Sequence, residues 1–289
     1  MTSYLQFADA NASYDEADIV IFGVPYDRTT SFRSGTRQGP AAIREASWNF
    51  ETYMMEFKRD LADLKIHDCG NTEEFGPPVE MVNGVKRFVA PIVKDGKLPL
   101  MLGGEHSISV GSVRAFQKEI GVIGMDAHLD FRNSYLGEKY SHACSQRRIA
   151  DHVGAKHVVY IGVRSQSKEE VADVKTFGLQ MVTSQFVDDN GIEKALDKAL
   201  KVIGRKRIYL TIDVDCIDPS FAPGVGTPEP FGLSPYHVKR VIDRLGPNLV
   251  GMDINEVAPQ WDNGQTANLA ARLAREAMIV MRKNQARYP

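Results

Sequence analysis

The stretch VIGMDAHLD, at residues 122–130, decides the fold that we expect for this chain. It begins with a short apolar run, Val122–Met125, and then places Asp126, His128 and Asp130 at every second position. An apolar run without polar interruption is typical of a strand that is buried on both faces of a parallel sheet. If the extended conformation continues beyond the run, the three polar side chains project from one face. The stretch therefore predicts a buried strand that ends in a cluster of ionisable groups.

Comparable apolar runs alternate with amphipathic segments along almost the whole chain. The predicted strands are Ile19–Val24, Leu98–Leu102, Val122–Met125, Val158–Val163, Ile208–Val214 and Leu249–Ile254, with weaker candidates at Leu64–Ile66 and Leu179–Val182. Apolar residues at three- and four-residue spacing predict helices over Pro40–Asn49, Val79–Lys94, Ser107–Gln117, Lys168–Thr176, Ile192–Ile203, Pro235–Leu245 and Gln265–Arg287. Repeated strand–helix order with right-handed crossovers produces a parallel sheet covered by helices. We therefore predict a single α/β domain over residues 1–289, a three-layer α/β/α fold with a mostly parallel central sheet.

The composition is that of a water-soluble globular protein, and it narrows the classes of partner. The 289 residues include 35 basic and 37 acidic side chains, so no excess of positive charge favours binding to nucleic acid. No apolar stretch is long enough to cross a bilayer, and the chain opens without an export signal. The three cysteines are too few and odd in number for a disulfide framework. We expect a cytoplasmic protein that binds neither nucleic acid nor membrane.

Ionisable residues follow three more of the predicted strands. The segments are GGEHS at 103–107, DVDCIDP at 213–219 and DINE at 253–256. In parallel sheets the ligand site lies outside the carboxyl ends of the strands, so these segments should meet at one edge. Unpaired carboxylates are costly to bury there, and a bound divalent cation removes that cost. The sequence therefore predicts a metal site at this edge of the sheet.

The size of the cluster indicates two metal ions. Its imidazoles and carboxylates are His106, Asp126, His128, Asp130, Asp213 and Asp215. Such a set exceeds what one catalytic metal needs while it keeps a position open for water, and mixed carboxylate–imidazole ligands suit Mn²⁺. Each residue alone also has a structural interpretation: His106 at a helix start, Asp126 as a cap, Asp213 and Asp215 as partners of arginines. The recurrence at several strand ends favours the metal site.

Four segments together resemble the signature motifs of the ureohydrolase family, which contains arginase, agmatinase, formiminoglutamase and guanidinobutyrase. The segments are GGEHS at 103–107, DAHLD at 126–130, DVDCIDP at 213–219 and DINEV at 253–257. The match runs in order from about Phe22 to the C-terminus. The resemblance implies an arginase-like α/β/α domain with two Mn²⁺ ions that hydrolyses the guanidino group of a small cationic substrate. It also implies a homo-oligomer, either a trimer or a hexamer.

The resemblance also implies a role for each matched residue. The terminal metal ligands would be His106 and Asp130 for one ion and His128 and Asp215 for the other, and both ions would share Asp126 and Asp213. Glu256 would hold the substrate guanidinium, and His142 would shuttle the proton to the leaving amine. The chain departs from the family at Glu105, where aspartate is usual, and at Ala143, where glycine is usual.

The substrate is predicted from the loops around the motifs. The segment Phe131–Tyr140 does not resemble the arginase stretch that holds the α-amino and α-carboxylate groups. Ser31–Pro40, Gly226–Pro230 and Glu256–Pro259 resemble agmatinase segments. We therefore expect agmatine or an N-substituted agmatine, cleaved to urea and putrescine or the corresponding polyamine. Glu138 is a candidate partner for the distal ammonium group.

Several other functions stay open at this point. Within the family they are arginase, guanidinobutyrase and formiminoglutamase activity. A catalytically silent metal-binding subunit and a single-zinc amide hydrolase are alternatives outside these activities. A thiol mechanism is a further alternative because Cys144 lies two residues from His142, although a thiol nucleophile needs no carboxylate cluster.

Overall fold

The computed structural model describes residues 6–281 of the chain. Its strands are β1 (Ile19–Val24), β2 (Tyr53–Met54), β3 (Arg59–Asp60), β4 (Ile66–Asn71), β5 (Leu98–Gly103), β6 (Gly121–Met125), β7 (Val158–Val163), β8 (Gln180–Thr183), β9 (Ile208–Asp213) and β10 (Leu249–Asn255). Its α-helices are α1 (Gly39–Ser47), α2 (Pro78–Lys94), α3 (Ile108–Val113), α4 (Ser145–Val153), α5 (Lys168–Phe177), α6 (Ser184–Asn190), α7 (Ile192–Ile203), α8 (Pro235–Leu245) and α9 (Gln265–Val280).

Eight strands form one sheet in the order β4-β1-β5-β10-β9-β6-β7-β8. Every pair of neighbours in this sheet is parallel, which confirms the predicted α/β class. Successive side chains of β1 enter two separate apolar cores: Ile19 and Ile21 enter one, and Val20 and Phe22 enter the other. Helices α1, α7, α8 and α9 contribute to the first core, and α2, α3 and α4 to the second. The helices therefore cover both faces of the sheet, as a three-layer fold requires.

The observed helices differ from the prediction in α3, α4, α6 and α9. The predicted helix Ser107–Gln117 ends as α3 at Val113, where the chain tightens into i→i+3 turns and Phe116 packs edge-on against Tyr209. Helix α4 escaped prediction because most of its residues are polar or charged, and α6 because it is a short, largely polar segment. Helix α9 ends at Val280, and residues 282–287 of the predicted final helix lie outside the described residues.

The strand order places the chemically important strand ends side by side. Strands β5, β10, β9 and β6 are consecutive in the sheet, and they carry the four motif segments at their carboxyl ends. At this edge the backbone of Gly104 lies very close to the backbone of Tyr26. A Cβ atom on Gly104 would lie 2.0 Å from the carbonyl oxygen of Tyr26. Among residues 6–281, no helix is both long and apolar enough to span a membrane.

Candidate metal centre

The segment after β6 is extended only in part. His128 pairs with Ser165 in a parallel bridge, and the Leu129 amide donates to the Ser165 carbonyl at 3.1 Å. At Asp130 the backbone turns into the left-handed region, with a φ of 47°. The chain also bends at Ala127, so the strand conformation does not continue without interruption beyond β6, and Asp126, His128 and Asp130 do not lie along one continuous strand.

The segment after β9 bends sooner than the sequence pattern suggests. Asp213 is the last residue of the strand, and its Oδ1 accepts the amide hydrogen of Asp215 at 2.9 Å. This contact begins a 3-10 turn over Val214–Cys216, so that Asp215 does not continue the strand. The turn brings Asp215 Oδ2 to 2.9 Å from His128 Nδ1. Folding of the loop, rather than alternation along a strand, thus positions this carboxylate.

Two groups of ligand atoms result, and they share one aspartate. In the first group, His106 Nδ1 lies 3.0 Å from Asp126 Oδ2 and 3.4 Å from Asp213 Oδ2. In the second group, His128 Nδ1 faces Asp215 Oδ2 and lies 3.8 Å from Asp126 Oδ1. Within each group the ligand atoms lie within 4.8 Å of one another, which suits a metal ion. Asp130 stands slightly apart, with its Oδ2 3.7 Å from His106 Nδ1.

The chemistry of these atoms fits divalent cations. Nδ1 of His106 is fully buried and makes no well-oriented hydrogen bond within residues 6–281, even though Asp126 Oδ2 lies 3.0 Å away, whereas a buried nitrogen normally makes one. The carboxylates around it are also buried, and a cation would satisfy both the nitrogen and the negative charges. Nitrogen and carboxylate oxygen ligands of this kind accept Mn²⁺ among other divalent ions.

The proton affinities of the group show the same need for positive charge. Burial raises the pKa of Asp213 well above its usual value, and the charges of Asp215 and Asp126 raise it further. Burial opposes protonation of His128, but the neighbouring Asp215 charge outweighs it and raises the pKa to about 11. Asp215 has a lowered pKa because the charge of His128 outweighs the effect of burial. Without a metal, the cluster therefore retains protons that a cation would displace.

Supporting hydrogen bonds come from residues that the sequence analysis did not single out. Nε2 of His106 lies 2.9 Å from Thr211 Oγ1, which donates to Asp253 Oδ1 at 2.6 Å. Gln146, on the unpredicted helix α4, donates to Asp126 Oδ2 at 2.9 Å, and Thr227 donates to Asp215 Oδ2 at 3.2 Å. Such contacts orient metal ligands and set their basicity. Thr211, two residues before Asp213, and Thr227, within the agmatinase-like segment Gly226–Pro230, lie where the sequence could have indicated such a role, whereas Gln146 does not.

A cavity of about 290 Å³ opens beside the two groups of ligand atoms. Its wall includes His128, Asp130, Asp213, His142 and Glu256, so both residues predicted to act on the substrate face the same space as the cluster. The remaining lining residues are Ser31, Leu129, Arg132, Tyr135, Ala143, Ser165, Gln166, Ser167, Glu170 and Thr227.

Glu256 is a buried carboxyl group held in a fixed position. Its Oε1 accepts the backbone amide of His106 at 2.7 Å, and its own backbone is in the left-handed region with a φ of 65°. Burial raises its pKa well above the usual value, and the nearby Glu105 charge adds to this. A cationic ligand in the cavity would favour the ionised carboxylate.

His142 lies at the start of a 3-10 turn on the long loop between β6 and α4. Burial lowers the pKa of its imidazole to about 4, so the ring is neutral at pH 7. Two other residues considered on this loop lie differently. Glu138 is not one of the residues that line the cavity, and its Oε1 accepts the Tyr140 amide at 2.8 Å. Cys144 is fully buried, which raises the pKa of its thiol to about 12 and leaves it a poor nucleophile.

Comparisons of sequence and of structure with known proteins indicate the same family. Residues 17–280 match the Arginase family. The chain is 34% identical to the agmatinase of Bacillus subtilis over 281 residues, which cover 94% of this chain and 95% of the relative. It is 36% identical to the N(1)-aminopropylagmatine ureohydrolase of Thermococcus kodakarensis over 270 residues, covering 90% and 89% of the two chains. The crystal structure of agmatine ureohydrolase of Thermoplasma volcanium superposes with a TM-score of 0.92 at 42% identity, covering 96% and 94%.

Proposed function

Because this chain belongs to the arginase family, whose members hydrolyse C–N bonds of guanidino compounds, we propose that it cleaves agmatine or an N-substituted agmatine. The products would be urea and putrescine, or urea and the corresponding polyamine. The observation that carries the proposal is the shared cavity. It places the buried Glu256 carboxyl group and the neutral His142 imidazole beside the cluster of histidines and aspartates.

Two Mn²⁺ ions are part of the proposal. The residues that would hold them are His106, Asp126, His128, Asp130, Asp213 and Asp215, with Asp126 in both groups of ligand atoms. When bound, such a pair of ions supplies hydroxide at neutral pH and stabilises negative charge that develops on the substrate. The protein's part is to orient the ligands through the hydrogen bonds of Thr211 and Gln146.

Glu256 and His142 would act on opposite ends of the bond that breaks. Glu256 would bind the planar guanidinium by charge-assisted hydrogen bonds and turn its carbon toward the cluster. Addition of water to that carbon and cleavage of its bond to the alkyl nitrogen give urea and an amine. The attacking water loses a proton and the leaving nitrogen needs one, and the neutral His142 imidazole would take up the first and pass it to the second. Because water is the nucleophile, no covalent enzyme intermediate forms.

The choice of agmatine rests on two kinds of similarity. The proteins of Bacillus subtilis and Thermococcus kodakarensis are named for agmatine and N(1)-aminopropylagmatine. Segments Ser31–Pro40 and Gly226–Pro230 resemble agmatinase segments, and each contributes a side chain to the cavity wall, Ser31 and Thr227. Arginase activity would require groups for an α-carboxylate and an α-amine. We place arginine after agmatine among the candidate substrates because Phe131–Tyr140 does not resemble the arginase stretch that holds these groups.

Urea release tests the proposal directly. Metal-stripped protein is assayed with agmatine, N-aminopropylagmatine, 4-guanidinobutyrate, formiminoglutamate (as released formamide) and arginine, before and after addition of Mn²⁺. We expect Mn²⁺-dependent urea from agmatine or its substituted form and little from arginine. Preference for arginine or a guanidino acid would contradict the substrate assignment. Absence of turnover with every compound, despite Mn²⁺ binding, would indicate a catalytically silent subunit.

Glu256→Gln tests the role assigned to this carboxylate. Loss of a charge-assisted hydrogen bond costs about 1.5–3 kcal/mol, so kcat/KM for agmatine should fall roughly 10- to 150-fold. Mn²⁺ stoichiometry should stay unchanged because Glu256 is outside both groups of ligand atoms. Glu119→Gln is the matched control, since Glu119 is exposed and precedes β6 at the opposite edge of the sheet, and it should change kcat/KM less than threefold. Equal effects of the two substitutions would remove Glu256 from the substrate site.

The proposal includes three properties of the whole protein. We propose a homo-oligomer, either a trimer or a hexamer, which sedimentation equilibrium measures. We also propose a cytoplasmic location. Because putrescine or a longer polyamine is the expected product, we further propose a place in polyamine formation. Fractionation of the source cells and polyamine analysis of a deletion strain test these points.

A further inference from the structure

The His142 side chain is held by a residue from a distant loop. Oγ1 of Thr29 accepts the backbone amide hydrogen of His142 at 2.9 Å and also lies 3.2 Å from the ring atom Nδ1. One hydroxyl group thus contacts both the main chain and the ring of the same histidine. Together these contacts fix the position of the residue and the direction in which its ring points.

Thr29 is in turn held by Glu105. The Thr29 hydroxyl donates to Oε1 of Glu105 at 2.6 Å, and the Thr29 amide donates to Oε2 at 2.7 Å. A third donor, the Ser107 hydroxyl, reaches Oε1 at 2.5 Å. Glu105 has no exposed surface, and burial raises the pKa of its carboxyl group, but the hydrogen bonds from Thr29 and Ser107 favour the ionised form. A carboxylate with three donors directed at its two oxygens can only accept hydrogen bonds. The Thr29 hydroxyl, the Thr29 amide and the Ser107 hydroxyl therefore all donate their hydrogen atoms to the Glu105 carboxylate.

The hydrogen-bonding capacity of Thr29 then fixes the state of the imidazole. A hydroxyl group has one hydrogen to donate, and that of Thr29 points to Glu105. Toward Nδ1 of His142 the hydroxyl can therefore only accept, so a hydrogen bond between these two atoms requires the hydrogen on Nδ1. In a neutral imidazole the other nitrogen, Nε2, is then bare. Nε2 lies 3.4 Å from the Ser31 hydroxyl, which lines the cavity.

We propose that Thr29 and Glu105 are positioning residues that keep the hydrogen of His142 on Nδ1 and leave Nε2 free to exchange a proton in the cavity. This inference rests on the proposed function, in which His142 delivers a proton to the leaving amine. When Nε2 takes up a proton, the Nδ1–H bond to Thr29 stays in place.

One contact favours the opposite tautomer. The Ser141 hydroxyl lies 3.4 Å from Nδ1 of His142 and could donate to it, which would place the ring hydrogen on Nε2. The Thr29 contact with Nδ1 is shorter, and its direction is set by Glu105. The tautomer with hydrogen on Nδ1 follows from that constraint, and a spectroscopic measurement distinguishes the two states.

Substitutions at Thr29 test the proposal in the Mn²⁺-loaded enzyme. Thr29→Val keeps the shape of the side chain but removes the hydroxyl, and we expect kcat to fall about 10- to 100-fold with KM within twofold. Thr29→Ser keeps the hydroxyl and should restore most of kcat. Thr30→Val is the matched control, because the Thr30 hydroxyl contacts the Asp27 carbonyl instead of His142. An unchanged kcat in Thr29→Val, or equal losses in Thr29→Val and Thr30→Val, would overturn the proposal.

A double-mutant cycle with His142→Ala shows whether Thr29 acts through this histidine. If it does, Thr29→Val should change kcat less than twofold in the His142→Ala background. A full additional loss there would mean that Thr29 acts on something else, and the proposal would be wrong.

Nitrogen NMR of the metal-free protein identifies the tautomer of His142 and does not require enzyme activity. With ¹⁵N-labelled histidine, wild type should show His142 with hydrogen on Nδ1 near pH 7, and Thr29→Val should show a mixture of tautomers. Hydrogen on Nε2 in wild type would overturn the inference. If the wild-type enzyme cleaves no guanidine, the proposed function fails, while this spectrum still decides the positioning role. If it cleaves agmatine but shows the other tautomer, only the positioning role fails.

Discussion

Asp126 is the residue on which both groups of ligand atoms depend. One of its oxygens faces His106 and the other faces His128, and the whole side chain is buried between them. No other residue belongs to both groups of ligand atoms identified among residues 6–281. Removal of its charge should therefore disturb both metal positions at once.

Asp126→Asn is expected to lower activity at least about 100-fold and to weaken Mn²⁺ binding. Loss of a partner that only supports a metal ligand costs 10- to 100-fold, so loss of a ligand should cost at least as much. Metal content by mass spectrometry and urea release measure the two effects. Asp218→Asn is the control, since Asp218 accepts backbone amides of Ser220 and Gly232 and is outside the cluster. Full activity with two bound Mn²⁺ ions in Asp126→Asn would exclude the dinuclear site.

Cys144 provides a test that separates metal chemistry from thiol chemistry. Burial raises its pKa to about 12, with a further contribution from the Asp130 charge, so the thiolate is rare at pH 8 and becomes common only well above that pH. Iodoacetamide at pH 8 should therefore leave activity intact, and Cys144→Ala should keep kcat within threefold. A chelator should abolish activity in the same preparations. Loss of activity on alkylation, with resistance to the chelator, would support a thiol nucleophile instead.

At the scale of elements, the start of α5 connects a helix to the active-site loop. Ser167 and Glu170 form a capping box at this helix end. The second carboxylate oxygen of Glu170 also accepts the amide of Phe131, the first residue of the long loop after Asp130, at 2.9 Å. Glu170 is buried, so its loss would leave main-chain donors without partners.

Glu170→Ala should lower the free energy of unfolding by about 2 kcal/mol, as expected for loss of a helix cap together with a buried acceptor. It should also lower kcat, because the loop that carries His142 is no longer tied to the helix. Urea denaturation and steady-state kinetics measure the two effects. Glu169→Ala, on the exposed neighbour, should change stability by less than about 0.5 kcal/mol. Equal free energies of unfolding for the two variants would mean that the hydrogen bonds of Glu170 contribute nothing to stability.

At the scale of the whole molecule, metal binding should stabilise the fold, and the effect should depend on pH. Metal that binds the native state at 100 times its Kd adds about 2.7 kcal/mol per site. For a chain of this size, that is a rise in Tm of roughly 5 °C for each occupied site. Scanning calorimetry with Mn²⁺ and with a chelator measures it. An unchanged Tm with saturating Mn²⁺ would contradict a metal site in the native structure.

The sign of the pH dependence follows from the raised pKa values in the metal-free cluster. The pKa of His128 is raised from 6.5 to about 11, so its contribution to metal-free stability is complete below pH 6.5 and is lost as pH rises toward 11. Mn²⁺ must displace the same protons, so its affinity should increase with pH. The Tm difference between Mn²⁺-loaded and metal-free protein should therefore grow from pH 6.5 to 8.5. A difference that shrinks over this range would contradict the assigned protonation.

Most of the fold follows from the sequence because its signals are local. Helices α7 and α8 coincide with the predicted ranges Ile192–Ile203 and Pro235–Leu245, since each has a continuous apolar face. The sequence predicted the buried strands because short, uninterrupted apolar runs are typical of strands covered on both faces of a parallel sheet. Polar helix α4 was missed, and with it Gln146, which supports Asp126.

The sequence by itself therefore determined the α/β architecture and the sheet edge that carries the ionisable residues, because apolar runs and the residues that follow them are properties of neighbouring positions. Only the tertiary structure decided how those residues meet. Asp215 reaches His128 through a turn that begins with a hydrogen bond to Asp213, and strand alternation could not show it. Thr29 reaches His142 across 113 positions of sequence. Contacts of this kind depend on how loops fold over one another, and loops carry no periodic pattern from which the sequence could predict them.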